Sequence, residues 1–307
     1  MESVIEVDGL RKRYGSQLVV ADVSFQVDRG EIFGLLGRNG AGKTTTVECL
    51  QGLRRADGGR VRVLGLDPQR QTRELRRRVG CQLQEAALPD RLRVWEALDL
   101  FASLAPAATD WRVLMDQWGL TAKGRASFAS LSGGQRQRLF VALALVNDPE
   151  IVFLDELTQG LDPAARRVAW ELIGAIRDRG ATVVLVTHYM EEAERLCDRI
   201  AVVHGGRVVA ADSPQGLISR FGGPVRITFT ADGHDVGFLE GVRHVRAVRR
   251  RGGQVEAEGT GPALALVAAE LVARGVVPSD LRVEQPTLEE VFLRLTGEGA
   301  GDREEAA

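Results

Sequence analysis

The chain has 307 residues, of which 44% are hydrophobic, and a formal net charge of −2 at pH 7. This length exceeds that of a single average domain and predicts one large domain plus a smaller one. The nearly balanced charge argues against a partner bound mainly by bulk electrostatics, such as duplex nucleic acid. The three cysteines, Cys49, Cys81 and Cys197, are far apart, so neither a metal site nor a disulfide framework is indicated.

The N-terminal segment and the overall hydropathy bear on membrane attachment. Residues 1–8 lack the basic and apolar segments of a secretory signal. No apolar run approaches the ~20 residues that a membrane-spanning helix needs. We therefore expect a chain without a transmembrane segment of its own, which is either soluble or attached to a membrane through a partner.

Taken in order, the first 221 residues alternate between strand-like and helical segments. Two valine-rich runs, residues 4–12 and 18–27, predict an antiparallel layer. An apolar run at 32–36 then predicts a buried strand, and a helix is expected over 43–53. Further strands are predicted at residues 60–64, 79–83, 151–154 and 182–187, a helix at 163–179, and a hairpin at 200–210.

The turn between the strand at 32–36 and the next helix has the pattern G-x-x-x-x-G-K-[ST]. Its glycines let backbone N–H groups wrap around an anion, and the helix that follows points its positive N-terminus at the ligand. Lys43 can reach the terminal phosphates, and the Thr44 hydroxyl can bind Mg²⁺. The turn therefore predicts a nucleoside triphosphate site, with these binding residues: Gly37, Arg38, Asn39, Gly40, Ala41, Gly42, Lys43, Thr44 and Thr45.

Residues 85–146 predict a helical subdomain inserted into an α/β core, because their apolar residues recur at helical spacing. Within this segment, LSGGQ at 131–135 lies just before a helix predicted at 139–146. A serine cap, two glycines with accessible N–H groups and a helix N-terminus form a second anion site. Since the chain already has one phosphate turn, we expect the second site to serve a nucleotide bound by another subunit. Its residues are Ser132, Gly133, Gly134 and Gln135.

Polar side chains are predicted at the ends of three strands. Asp155 and Glu156 end one buried strand. Burial of these carboxylates costs free energy unless cations or hydrogen bonds compensate for it. Asp155 is predicted to hold Mg²⁺, and Glu156 to be the base that orients the attacking water. His188 follows a neighbouring strand and is predicted to sense the γ-phosphate. Gln84 ends a third strand, where its amide is predicted to bind Mg²⁺ and to take part in catalysis.

The remaining sequence predicts a second, smaller domain. Residues 1–221 are assigned to the nucleotide-binding domain, and 222–224 (GGP) to a linker. Strands and helices predicted over 225–296 make a small α+β accessory domain. The polar segment 297–307 is expected to be disordered.

Together, these segments resemble the nucleotide-binding subunit of an ATP-binding-cassette (ABC) transporter. The resemblance rests on the phosphate turn, Gln84, the LSGGQ signature, the Asp155-Glu156 pair, Leu161-Asp162 and His188. It implies an α/β fold, a P-loop NTPase cassette that has an antiparallel β layer and an inserted helical subdomain. It also implies ATP and Mg²⁺ as cofactors and a head-to-tail homodimer, in which each ATP lies between one phosphate turn and the signature of the other chain.

The resemblance also implies roles for individual residues. Tyr14, which lies in a turn, would stack on the adenine base. Ser132, Gly134 and Gln135 would grip the γ-phosphate of the ATP held by the partner chain, and Asp162 would communicate across the dimer.

The segment 285–292 (QPTLEEVF) is similar to the end of ATPase subunits of drug-export and ABC-2-type exporters, including the daunorubicin-resistance type. This similarity implies an ATPase that drives transport by a separate integral-membrane permease. The cargo would be a drug, an antibiotic or a lipid-like molecule. The chain would then be cytoplasmic and lie on the inner face of the cell membrane. A proline followed by Thr-x-x-Glu is also a general helix start.

One residue departs from the family pattern. Leu157 stands where a proline usually follows the catalytic glutamate, and a proline would stiffen that turn. Every catalytic group is present, so we expect hydrolysis. Two alternatives stay open from the sequence: a soluble ABC-type ATPase that acts on nucleic acid or the ribosome, and a regulatory module that binds ATP without turnover.

Overall fold

The computed structural model describes residues 2–82, 87–105, 109–231 and 233–297, and the chain divides into two compact units, Met1–Gln215 and Gly216–Ala307. The strands of the first unit are β1 (Ser3–Tyr14), β2 (Gln17–Asp28), β3 (Ile32–Leu36), β4 (Gly58–Val63), β5 (Val79–Gln82), β6 (Ile151–Asp155), β7 (Thr182–Thr187), β8 (Arg199–His204) and β9 (Arg207–Asp212). The helices are α1 (Lys43–Leu50), α2 (Thr72–Leu75), α3 (Val94–Leu104), α4 (Trp111–Gln117), α5 (Gly133–Ala144), α6 (Pro163–Asp178), α7 (Met190–Leu196) and α8 (Pro214–Phe221), the last of which contains the boundary between the units.

The strands of the first unit form one sheet in the order β4-β1-β2-β9-β8-β3-β7-β6-β5. β1 pairs with β2 and with β4 in antiparallel fashion, which confirms the antiparallel layer. The strands from β8 to β5 are parallel to their neighbours, and β9 forms the predicted hairpin with β8. One parallel pair, Asp22 with Arg207, joins the two layers.

Three central strands determine where the site lies. Every residue of β3, β6 and β7 is buried, and their apolar residues follow one another without alternation. This pattern is typical of parallel strands that are covered on both faces. Because parallel strands end at the same edge of a sheet, the phosphate turn, Asp155-Glu156 and His188 leave the sheet side by side.

Helices α3, α4 and α5 pack against one another and form the helical part of the cassette. The structure corrects the start of α5, which begins at Gly133 and not at Leu139. Ser132 is the N-cap and forms a capping box with Gln135, so residues 133–135 of the LSGGQ segment belong to the first turn of the helix. Sequence periodicity missed this turn because residues 133–138 are all glycine or polar.

Three further differences concern short or terminal segments. α1 ends at Leu50, three residues before the predicted end. Helices α2 and α7 were not predicted from the sequence. Each is at most seven residues long, and α7 contains four charged residues, so neither shows a clear apolar stripe. Within the described ranges, no helix has both the length and the apolar composition needed to cross a membrane.

The second unit is a small α+β structure. Its elements are β10 (Val225–Thr230), β11 (Val245–Arg251), β12 (Gln254–Gly259), α9 (Ala263–Ala273), β13 (Arg282–Glu284) and α10 (Leu288–Thr296). The four strands are antiparallel, in the order β11-β12-β10-β13. Apolar residues of β10, β12 and α9, among them Phe229, Val255 and Val267, form a core of their own. Thr287 caps α10 by accepting a hydrogen bond from the Glu290 N–H. The predicted fold class is confirmed.

Candidate active site

The phosphate turn joins β3 to α1, and the packing of this turn explains two of its glycines. A Cβ on Gly37 would lie 2.5 Å from the carbonyl oxygen of Val203, and one on Gly42 would lie 2.7 Å from that of Val19. Gly42 also has a φ of +97°, which side chains disfavour. The sequence pattern predicts that these glycines allow the ligand to approach the backbone. The structure shows that close contact with the backbone of β8 and β2 already requires two of them.

Lys43 lies inside this turn, and only 5% of its surface is exposed. Its Nζ donates hydrogen bonds to the carbonyl oxygens of Gly37, at 2.7 Å, and Arg38, at 3.1 Å. Burial lowers the pKa of Lys43, and the nearby carboxylates of Glu156 and Asp155 partly oppose this shift. The ammonium group is therefore held inside the turn by two backbone carbonyl groups.

Asp155, the last residue of β6, is 3% exposed. Burial raises the pKa of its carboxyl from 3.8 to about 6, although the neighbouring Thr44 hydroxyl acts in the opposite direction. Its backbone N–H donates to Oε1 of Gln82 at 3.2 Å. Within the described part of the chain, its Oδ1 has no hydrogen-bond partner. Sequence reasoning gave Gln82 no role, because nothing in its local pattern distinguishes a buried glutamine at a strand end.

Glu156 and His188 meet at the edge of the sheet, as the order of the strands requires. The distance between Oε1 of Glu156 and Nδ1 of His188 is 3.2 Å. Glu156 has a φ of +50°, a strained conformation that non-glycine residues adopt rarely and mostly at functional sites. Its backbone N–H donates to the carbonyl oxygen of Val186 at 2.9 Å, which helps to hold this conformation.

Leu157, the residue that departs from the family pattern, is only 2% exposed. It lines a small apolar pocket between α5 and α6, together with Val141, Leu161 and Ala169. Apolar packing can fix a turn in place of the restricted φ of a proline. The buried side chain of Leu157 therefore anchors the loop that begins at Glu156.

The signature residues and Asp162 act as helix caps within their own chain. The Ser132 N–H donates to Oε1 of Gln135 at 3.0 Å, and the Gln135 N–H donates to Oγ of Ser132 at 3.3 Å. Oδ1 of Asp162 accepts from the N–H groups of Ala164 and Ala165, both at 2.9 Å. Among the residues that the structure describes, none of these side chains is hydrogen-bonded to the phosphate turn. Their action on a partner chain stays a prediction.

Tyr14 and Gln84 complete the set of predicted site residues. Tyr14 ends β1 and is 39% exposed. Its ring lies 5.4 Å from Nζ of Lys12 and 5.5 Å from Cζ of Arg54, measured to the ring centroid. Both cationic groups lie over the ring, so the stacking of Tyr14 on an adenine base stays a prediction. Gln84 lies outside the described residues, so its two predicted roles stay predictions.

Comparisons with known proteins agree with this arrangement. The model of the ABC transporter family matches residues 20–159. The chain is 38% identical to the daunorubicin resistance ATP-binding protein DrrA2 of Streptomyces coeruleorubidus, over 95% of each protein. It is 40% identical to the Nod factor export ATP-binding protein I of Paraburkholderia xenovorans, over 96% of this chain and 98% of that protein. A solved ATP-binding subunit of an ABC transporter is 30% identical, with a TM-score of 0.65 over 71% of this chain and 93% of that one.

The sheet, the phosphate turn and the acidic strand end define a P-loop nucleotide hydrolase. The chain belongs to the ABC transporter family, as an ATP-binding subunit. Members of this family hydrolyse ATP, and the protein is an ATPase. The family and the activity predicted from the sequence are thus confirmed.

Proposed function

We propose that this ATPase drives an exporter whose separate, membrane-embedded permease carries a drug, an antibiotic or a lipid-like molecule. The observation that carries this proposal is the extent of the similarity to relatives named for daunorubicin resistance and Nod factor export. It covers at least 95% of both chains and so includes the second unit as well as the cassette. The chain then works as a homodimer, in the cytoplasm, on the inner face of the cell membrane and attached through the permease.

Purification of the tagged chain from membranes of its host in mild detergent tests this proposal. We expect an integral-membrane protein to co-purify and, after reconstitution into vesicles, to stimulate ATP hydrolysis. Stimulation by RNA, DNA or ribosomes without such a membrane protein would favour the soluble alternative.

In this function, the phosphate turn binds the triphosphate of ATP. Lys43 is already held at the centre of the turn by two carbonyl oxygens. Phosphate oxygens can replace those carbonyls as acceptors, and they offset the burial that lowers the pKa of the ammonium group. The exposed ring of Tyr14 supports the adenine base, and the N-terminus of α1 adds its positive dipole.

Mg²⁺ fits the residues beside this turn. Oδ1 of Asp155 is buried and has no hydrogen-bond partner among the described residues, and burial raises the pKa of this carboxyl to about 6. A hard cation that accepts oxygen ligands would resolve both conditions. Asp155 and the Thr44 hydroxyl would hold the ion, with Gln84 as a further ligand. When bound, Mg²⁺ neutralises charge on the terminal phosphates.

Glu156 and His188 then act on water and phosphate. A carboxylate that accepts a hydrogen bond from water orients it and can take its proton during attack on the γ-phosphorus. With a proton on Nδ1, His188 donates to Oε1 of Glu156 and fixes the direction of that carboxylate. The other ring nitrogen stays available for the γ-phosphate. His188 then contacts both the carboxylate of Glu156 and the phosphate group that is transferred to water.

Removing the charge of Asp155 has an expected effect on stability that depends on pH. Because the folded chain keeps this proton up to about pH 6 and the unfolded chain only to about pH 4, the carboxyl stabilises the fold at low pH. That contribution disappears as the pH rises through 6. Without ATP and divalent cations, Asp155→Asn should therefore stabilise the chain at pH 8, by roughly 1 to 3 kcal/mol, and have little effect at pH 4.

Thermal unfolding in a chelating buffer, followed by calorimetry at both pH values, measures this effect. Asp178→Asn, at the exposed C-terminal end of α6, is the matched control and should change neither curve. Equal effects of Asp155→Asn at the two pH values would contradict the expectation.

A groove beside the helical part of the cassette is the proposed docking site for the permease. It has a volume of about 980 Å³. Its lining combines apolar side chains with exposed arginines. The apolar residues include Leu88, Phe101, Leu104 and Phe140, of which Leu104 is 75% exposed, and the arginines are Arg73, Arg76 and Arg77. Such a surface fits a short amphipathic segment with apolar and acidic residues.

Reversing the charge of the arginines that line this groove should uncouple the chain from its permease. The double variant Arg76→Glu/Arg77→Glu is expected to reduce stimulation of ATPase activity by the permease at least about fivefold, since like charges then face each other. Basal hydrolysis should remain, because neither side chain belongs to the nucleotide site. Stimulation in vesicles gives the measurement, and Arg251→Glu in the second unit is the control. Unchanged stimulation by the double variant would exclude this groove as the docking site.

A further inference from the structure

One buried acid takes no part in the mechanism proposed above. It lies close to the segments that carry Glu156 and His188. Glu192, on α7, is completely buried. Burial raises the pKa of its carboxyl, while Thr187, Thr158, Trp170 and Arg166 act in the opposite direction. A buried acid costs folding free energy compared with an apolar residue of the same size, unless its oxygens are fully hydrogen-bonded. One oxygen of the Glu192 carboxyl, Oε2, has no hydrogen-bond partner among the described residues.

Its contacts reach the two segments that carry the catalytic groups. Oε1 accepts a hydrogen bond from Nε1 of Trp170, on α6, at 3.1 Å. Thr187 directly precedes His188, and its Oγ1 accepts from the Tyr189 N–H at 3.0 Å. Thr158 lies two residues after Glu156, and it too is completely buried. The carboxyl of Glu192 is thus shared by the end of β7, the loop after β6 and helix α6.

One half of this arrangement is unsatisfied. Oε2 of Glu192 and Oγ1 of Thr158 both lack a hydrogen-bond partner among the described residues. Yet Thr158 lies close enough to lower the pKa of this carboxyl. A hydroxyl donor and a carboxylate acceptor buried side by side gain a strong hydrogen bond from a small movement of the loop.

We propose that Glu192 is a positioning residue for ATP hydrolysis, which holds the loop of Glu156 against the strand end of His188 through Thr158 and Thr187. The proposal rests on the roles proposed above for Glu156 and His188. When the loop adjusts to bound ATP, the Thr158 hydroxyl donates to the free carboxylate oxygen. This hydrogen bond then fixes the distance between the carboxylate of Glu156 and the imidazole of His188.

Kinetics of the full chain with saturating Mg²⁺ and ATP test this role. Glu192→Ala is expected to lower kcat at least about tenfold while KM stays within about threefold, because the residue does not touch ATP. Glu192→Gln keeps an acceptor for Trp170, and its NH2 group can donate to the Thr158 hydroxyl, which also accepts. It should therefore retain kcat within about threefold of the native chain. Glu191→Ala, on the exposed side of the same helix, is the matched control and should leave both constants unchanged.

Thr158→Val keeps the shape of the side chain and removes its hydroxyl, so it tests the role even where Glu192→Ala fails to fold. It should lower kcat about fivefold, and the double variant Thr158→Val/Glu192→Gln should lose no more than Thr158→Val alone, as expected for residues that act through one contact. Native kcat in Thr158→Val, or a parallel loss of ATP affinity, would overturn the proposal. If Glu156→Gln keeps its activity in the same assay, the proposed site itself is wrong.

Discussion

Glu156→Gln is expected to lower kcat for ATP hydrolysis by about two to four orders of magnitude, the range typical of losing a general base. The amide has the shape of the carboxylate and can still accept a hydrogen bond from water, but it cannot take a proton. ATP affinity should remain within a few fold. Because bound ATP is then not consumed, the variant should accumulate as an ATP-bound dimer.

Phosphate release measures the rate, and size-exclusion chromatography with and without ATP measures the dimer. Glu171→Gln, an exposed residue of α6, is the control and should behave as the native chain does. A variant with native turnover would show that another group activates the water. A variant that stays monomeric in ATP would argue against a dimer closed by the nucleotide.

Ser132→Arg is expected to disable the ATP site of the partner chain and not its own. The arginine places a bulky cation at the first turn of α5, where the head-to-tail arrangement requires the partner's γ-phosphate to bind. Combining it with Lys43→Ala, which disables the phosphate turn of its own chain, separates the two possibilities. The chains carry different tags, so that only mixed dimers are purified.

When Ser132→Arg is on one chain and Lys43→Ala on the other, both changes fall on one composite site and the second site stays intact. One ATP per dimer should then be hydrolysed in a single turnover. When both substitutions are on one chain beside a native partner, each site has one defect and hydrolysis should be lost. The opposite outcome would mean that each chain completes its own site, and it would refute the head-to-tail model.

The sequence alone was sufficient to name candidate residues for the nucleotide site, because they are consecutive or follow recognisable strands. Their roles stay predictions. The phosphate turn has a fixed spacing of glycines and lysine. Asp155 and Glu156 end a continuous apolar run, and such runs are typical of buried parallel strands. Few topologies are possible for such strands, and parallel strands end at the same edge of a sheet. The contact between Glu156 and His188 could therefore be expected.

Other features depend on contacts between distant segments, which no local pattern encodes. Gly37 and Gly42 are required by carbonyl groups of β8 and β2. Oε1 of Gln82, on β5, accepts a hydrogen bond from the N–H of Asp155 on the neighbouring strand β6. The start of α5 depends on a cap between Ser132 and Gln135, whereas an apolar stripe is absent from this turn. Leu157 replaces a proline that would stiffen the turn. Only the structure shows that its buried side chain packs between α5 and α6 and can hold the turn in place.

The sequence by itself determined the class of this protein, an ATPase of the ABC transporter family, since short motifs in a fixed order specify phosphate binding and hydrolysis. Only the tertiary structure decided how these groups are held. It buried Asp155, whose Oδ1 has no hydrogen-bond partner among the described residues, and strained Glu156 into a left-handed conformation. It also placed the carboxyl of Glu192 close to Thr158 and Thr187, which neighbour Glu156 and His188 in the chain. Burial and strain arise from the packing of distant strands and helices, and they are therefore properties of the folded chain.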